Sequence, residues 1–284
     1  VRGKAGLLSS INAGKNFFMN YLNLPNGRFA YIREGQGAPV LLLHGLGSSL
    51  LDWQPQIEHL AQYCEVIAMD VRGHGQSEPL RAPVSMAELA GDIADLIRAL
   101  RIEPCLLVGI SMGGMLTFQL LAEHPELVRA AVVINSAPSF PVGSWRVRGQ
   151  IWLRLGLVRL VGLPTLAKVL AGKLFPKPEQ QALRELVAER LASNDRTSYL
   201  HAMRAIPGWS ALPAAGRAQV PLLVISGDRD YTPLDYKRAY LGQLHNARLE
   251  VIEDSGHATP LDQPQRLNRL LQAFIAEHSA PLPA

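Results

Sequence analysis

The apolar positions of this 284-residue chain fall into short continuous runs separated by longer segments of helical spacing. PVLLLHG, EVIAMD, CLLVGIS, AAVVINS, VPLLVISG and ARLEVIED are four- to eight-residue β-branched or Leu-rich runs of the kind that form strands buried on both faces. Between them, helical patterns occupy positions near 52–63, 85–101, 111–124, 232–245 and 262–278. The second of these opens with Ser85 followed by Glu88, the spacing of a capping box. At the N-terminal end, FFMNYLNL and RFAYIREG flank Pro25-Asn26-Gly27 and predict a β-hairpin turning at Asn-Gly. Strands alternating with helices predict a mainly parallel sheet covered on both faces, an α/β doubly wound domain.

One stretch departs from this alternation. From about 139 to 211 no strand pattern occurs, only helical segments broken by Gly149, Gly156, Gly162, Pro164, Pro176, Pro178 and Pro207. It predicts a helical insertion between core segments 1–138 and 212–284. Charge is concentrated in the same place. Residues 145–177 carry Arg146, Arg148, Arg154, Arg159, Lys168, Lys173 and Lys177 and no acidic residue. The chain's net charge is +4, so this segment holds +7 and the remainder −3. No aromatic interleaving or reading helix accompanies the patch, which argues against nucleic acid. A basic, apolar insertion can instead attract anionic substrates or make weak contact with an anionic membrane surface.

Composition adds little else. Apolar residues are 48% and charged residues 18% of the chain, the balance of an ordinary globular protein. No run of 18 uncharged apolar residues occurs, so a membrane-spanning helix is not expected. Residues 1–16 are basic and hold only the Leu7-Leu8 pair, short of a signal-peptide core. The reading is a cytoplasmic protein, with a leader already removed as the alternative. Cys64 and Cys105 are too few for a disulfide framework or a Cys-rich metal site and read as buried thiols. No cofactor is expected, and the sequence leaves the oligomeric state open.

The chemistry starts at LLVGISMGGM. Ser111 stands between a strand pattern and a helix pattern, flanked by Gly109 and Gly113, where a sharp turn packs so closely that a Cβ would clash. The helix N-terminus offers N–H groups to a developing oxyanion. A plain helix-capping serine is the competing reading. A serine nucleophile needs a base and an orienting acid. His257, in EDSGHATPLDQP, follows the last strand pattern and supplies the base. The other histidines, among them His59, His124, His245 and His278, fall mainly on helices. Asp228 and Asp230 in SGDRDYTP both follow a strand, and spacing alone does not choose between them. Asp228 suits a turn-shaping role, and Asp230, further out, is favoured as the acid. No acidic residue follows AAVVINS. His44-Gly45-Leu46-Gly47, after PVLLL, can bring the Leu46 N–H to pair with that of Met112 around an oxyanion.

YIREGQGAPVLLLHGLGSS, MDVRGHGQSE, GISMGG, GDRDYTP and SGHATPLDQP, in this order, resemble the α/β-hydrolase superfamily over roughly 17–138 and 212–278. The resemblance implies an eight-stranded sheet with a helical cap inserted after AAVVINS. It implies a nucleophile at Ser111, an acid at Asp230, a base at His257 and an oxyanion hole at Leu46 and Met112. It makes Arg72 and His74 scaffold, and it places PVLLL between the strands of Cys64 and Cys105, so no disulfide joins them. Serine in the elbow argues against dehalogenases and epoxide hydrolases of this family. HGLGSS lacks the Ser-Gly-Pro-Gly type of loop found in carbon–carbon bond hydrolases, and no Trp follows the serine as in proline iminopeptidases. Ester chemistry is therefore expected: a carboxylesterase acting on small or medium acyl esters. A lactonase, a thioesterase, a carbon–carbon bond hydrolase or a non-catalytic binding member are the alternatives.

Overall fold

A computed structural model describes residues 17–143 and 145–279. The expectations for residues 1–16 lie outside the described residues. Eight strands form one sheet: β1 (Asn20–Leu24), β2 (Gly27–Glu34), β3 (Pro39–Leu43), β4 (Glu65–Met69), β5 (Cys105–Ile110), β6 (Val128–Ile134), β7 (Leu222–Gly227) and β8 (Ala247–Ile252), in spatial order β1-β2-β4-β3-β5-β6-β7-β8. The hairpin β1–β2 pairs antiparallel, β2 runs antiparallel to β4, and every later pairing is parallel. The hairpin turn falls one residue earlier than Asn-Gly. Leu24 pairs with Gly27, so Pro25-Asn26 form the loop and Gly27, at φ 127°, opens β2.

The helices are α1 (Gln54–Leu60), α2 (Met86–Leu100), α3 (Met112–Glu123), α4 (Trp145–Leu174), α5 (Gln181–Ala192), α6 (Arg196–Ala205), α7 (Ala214–Arg217), α8 (Leu234–Leu241), α9 (Thr259–Asp262) and α10 (Pro264–His278). The Ser85–Glu88 capping box that starts α2 is formed in both directions. Strand alternation divides the core. Leu41 and Leu43 face a layer with Met86, Leu89, Ile93, Leu116 and Phe118 of α2 and α3. Val40 and Leu42 face Ile57, Leu60, Leu267 and Phe274 of α1 and α10. Both faces of β3 are therefore dry, which is why its sequence shows no polar alternation.

Between β6 and β7 lie α4, α5, α6 and the short α7, and an antiparallel bridge joins Ser139 to Ser210. α4 is broken at Gly162, whose φ of 77° and ψ of 172° are non-helical, two residues before Pro164. Leu155, Val158, Leu163, Leu166 and Ala167 of α4 pack with Leu191, Tyr199 and Met203 of α5 and α6, and Leu46 of the core domain lies against this cluster. By length and composition, Ile151–Leu174 is apolar enough to cross a membrane. It is broken at Gly162, and one face is packed against α5 and α6. Cys64 and Cys105 are free and buried, with β3 between β4 and β5, and burial pushes the Cys64 thiol up to about 11.

Candidate active site

The site lies at the carboxyl edge of the parallel strands, where the β5, β7 and β8 loops meet. Ser111 joins β5 to α3 with φ 53° and ψ −118°, a backbone region costly for a residue with a Cβ. Its N–H donates to the Ile134 carbonyl at 3.0 Å, and its carbonyl accepts from the Ser136 hydroxyl at 2.7 Å and the Met115 N–H at 3.0 Å. The turn is closely packed. A Cβ on Gly113 would stand 2.1 Å from the Leu43 carbonyl oxygen, and one on Gly109 would stand 2.3 Å from that of Gly113. The Ser111 side chain makes no capping hydrogen bond to α3. The side chain therefore does not act as a helix cap.

Asp230 and Asp228 part company here. Asp230 Oδ1 accepts from His257 Nδ1 at 2.6 Å, whereas Asp228 Oδ1 accepts from the Ser255 N–H at 3.0 Å and shapes the turn. With Nδ1–H given to the carboxylate, His257 Nε2 is the acceptor, and the Tyr231 hydroxyl donates to it at 2.7 Å. The two rings stack with centroids 4.0 Å apart. The Ser111 side chain lies close enough to the phenol to lower its pKa. Tyr231, His257 and Asp230 form a continuous chain of hydrogen bonds. Tyr231 is 70% exposed. Burial and the Asp230 charge raise its pKa above the ordinary phenol value, and Arg154 opposes them. Arg154, on α4, gives its Nε to the Tyr199 hydroxyl at 3.0 Å, so α4 places a cation beside this cluster.

Two further side chains hold the site from below, and neither is apparent in the sequence. Lys237 of α8 is fully buried and donates to Asp230 Oδ2 at 2.5 Å and to the Ser226 hydroxyl at 2.8 Å. Burial raises the Asp230 pKa, but the hydrogen bonds and charges of His257 and Lys237 outweigh it and leave the carboxyl below its ordinary value. Asn135, at φ 46° just past β6, accepts from the Gly227 N–H at 2.8 Å. Its amide donates to the carbonyls of Gly256 at 3.1 Å and His257 at 2.8 Å. One buried amide therefore ties the acid loop to the base loop. The sequence signal was its position after a strand end, where an acid was sought and an amide stands.

The loop of Leu46 and the start of α3 at Met112 both lie at the Ser111 turn. Met112 is the first residue of α3 and has no intrahelical acceptor for its N–H. A Cβ on Gly45, next to Leu46, would lie 3.3 Å from the Ser111 Cβ. His44 fixes this loop: the Val71 N–H donates to its Nε2 at 3.0 Å, so its Nδ1–H goes to the Gly45 carbonyl at 2.8 Å. Arg72 pairs with buried Asp92 at 2.7 Å, and buried His74, its pKa lowered by desolvation to about 3, has no carboxylate partner, which suits scaffold roles.

A family model for the alpha/beta hydrolase fold matches residues 38–264. The chain belongs to the α/β-hydrolase family. It is 31% identical to 3-oxoadipate enol-lactonase 2 of Acinetobacter baylyi over 91% of this chain and 97% of that protein. The fold resembles an esterase from Exiguobacterium antarcticum (TM-score 0.85, 20% identity, 91% of this chain and all of that one). It also resembles a membrane phospholipase A (TM-score 0.79, 23% identity, 98% of this chain and 93% of that one). Membership carries hydrolysis as the coarse function. Bond type and residue roles are a separate matter.

In the α/β-hydrolase site, the phenol of Tyr231 occupies the lone pair on His257 Nε2. A neutral hydrogen bond is worth about 1 kcal/mol net. Tyr231→Phe keeps the stack and frees that lone pair, so kcat/KM for a p-nitrophenyl ester is expected to rise about fivefold. A loss of roughly a hundredfold would mean that the phenol itself carries the proton.

Proposed function

We propose that this α/β-hydrolase cleaves carboxylic esters, open-chain or cyclic, through an acyl-enzyme on Ser111. The observation that carries the reading is the strained, uncapped Ser111 beside a histidine whose Nδ1 is held 2.6 Å from Asp230. Substrate turns the Tyr231 phenol aside. Ser111 Oγ then attacks the acyl carbon while His257 Nε2 takes its proton. The N–H groups of Leu46 and Met112 receive the carbonyl oxygen as it becomes an oxyanion. His257 returns the proton to the departing alkoxide, the ester C–O bond breaks, and the acyl group stays on Ser111. Water attacks next, giving a proton to His257, and the carboxylic acid leaves with Ser111 reprotonated. Asp230 keeps the imidazole in the tautomer that both halves need.

Carboxylesterase and lactonase chemistry differ only in whether the alcohol remains tethered to the acyl group. The enol-lactonase relative favours the cyclic substrate, and the ester expectation from the sequence favours the open one. The apolar cap cluster above Leu46 suits a small or medium acyl group. An acyl-length series of p-nitrophenyl esters, run beside a γ-lactone, separates the two. Turnover with covalent labelling of Ser111 by a fluorophosphonate is the expected result. No turnover at any chain length and no label would leave a binding protein in place of an enzyme.

A further inference from the structure

The first half of α4 divides its apolar side chains between two opposite faces. Leu155 and Val158 are buried in the cap core, and Arg154 turns inward onto Tyr199. Trp145, Trp152, Leu153 and Leu160, spaced by seven and eight residues, form one stripe on the other side. They are 77%, 68%, 64% and 85% exposed. Arg148 and Arg159 are exposed along the same side. Scattered apolar side chains on a surface are ordinary, but four large ones in one stripe mark a contact face.

Charge decides what that face meets. Residues 145–177 hold seven basic and no acidic side chains. A second copy docked face to face would set Arg148 and Arg159 against their own counterparts with no carboxylate from this segment to pair them. An anionic lipid surface complements both features. Tryptophan rings settle at headgroup depth, and the long basic stems reach the phosphates. The break at Gly162 and the packed inner face suit a helix that lies along such a surface and not one that crosses it. We propose that residues 145–161 form an interfacial anchor that seats the cap on an anionic phospholipid membrane. The proposal is independent of which ester the site cleaves.

Co-sedimentation of the full chain with vesicles of phosphatidylcholine, alone or with about one-third phosphatidylglycerol, tests it. The expected result is roughly tenfold stronger partitioning onto the anionic vesicles, weakened at about 0.5 M salt. Trp152→Ser with Leu160→Ser is expected to lower binding by about tenfold or more. Arg148→Gln with Arg159→Gln is expected to lower it only on anionic vesicles. Circular dichroism melts establish that the variants are folded. Three results would overturn the proposal: equal recovery in the supernatant with both vesicle types, equal binding to both, or undiminished binding by the Trp152/Leu160 variant. A lipid-free dimer that this variant dissociates, with vesicles ignored, would assign the stripe to a second copy.

Discussion

Ser111→Ala is expected to lower kcat/KM for p-nitrophenyl butyrate by about 10⁵-fold, leaving only the background of a site that still binds and polarises the ester. The fold should survive, since the Ser111 side chain makes no hydrogen bond to the helix it precedes. Alanine keeps the left-handed strain without adding to it. The acid assignment is read in the same assay. Asp230→Asn is expected to cost about 10⁴-fold, because an amide facing Nδ1 favours the wrong imidazole tautomer. Asp228→Asn keeps an oxygen acceptor for the Ser255 N–H and should change the rate by about threefold or less. The reverse order of effects would exchange the two roles. Steady-state kinetics with melting curves on all three variants make the comparison.

The second large effect belongs to Lys237. Asp230 and Lys237 both have side chains with no solvent exposure, and they meet at 2.5 Å. Removing one member of a buried pair strands the other. Lys237→Met leaves the buried Asp230 carboxylate without its cation, so a loss of about 3 kcal/mol of stability is expected. In a chain of this size that lowers Tm by roughly 5–10 °C. The sign of the pH response follows from the charges. Lys237 is one of the charges that hold the Asp230 carboxyl down, and its removal lets that pKa rise. Acid unfolding is therefore expected to set in at higher pH than in the wild type. A lower Tm at neutral pH with an unmoved acid-unfolding midpoint would mean that Lys237 does not hold the Asp230 charge. For the wild type, the depressed Asp230 carboxyl contributes stability that is fully present above its unfolded pKa. That contribution is lost as pH falls through the lower folded value.

Much of this protein was determined by local sequence. Continuous apolar runs in PVLLL and CLLVGI forced strands buried on both faces, and the helical spacing between them forced parallel connections. The absence of a strand pattern from 139 to 211 marked the insertion. Ser85 and Glu88 fixed the start of α2 through contacts three residues apart. The sharp turn at Ser111 was legible because a strand, a tight Gly-flanked turn and a helix are adjacent in the chain, and each leaves its own composition.

The tertiary structure decided what depends on groups far apart in sequence. Asp228 and Asp230 are equivalent by spacing, and only the path of the β8 loop brings His257 to one and Ser255 to the other. Lys237 reads as a helix residue until α8 packs its ammonium under Asp230, and Asn135 reads as a missing acid until its amide meets two loops more than ninety residues downstream. The basic, apolar insertion followed the same rule. Its composition was plain in the sequence, but which of its side chains face the cap core and which stand open was set by α5 and α6 covering one side of α4. Short-range preferences write themselves into neighbouring residues, whereas pairing between distant loops is fixed only when the sheet has brought them together.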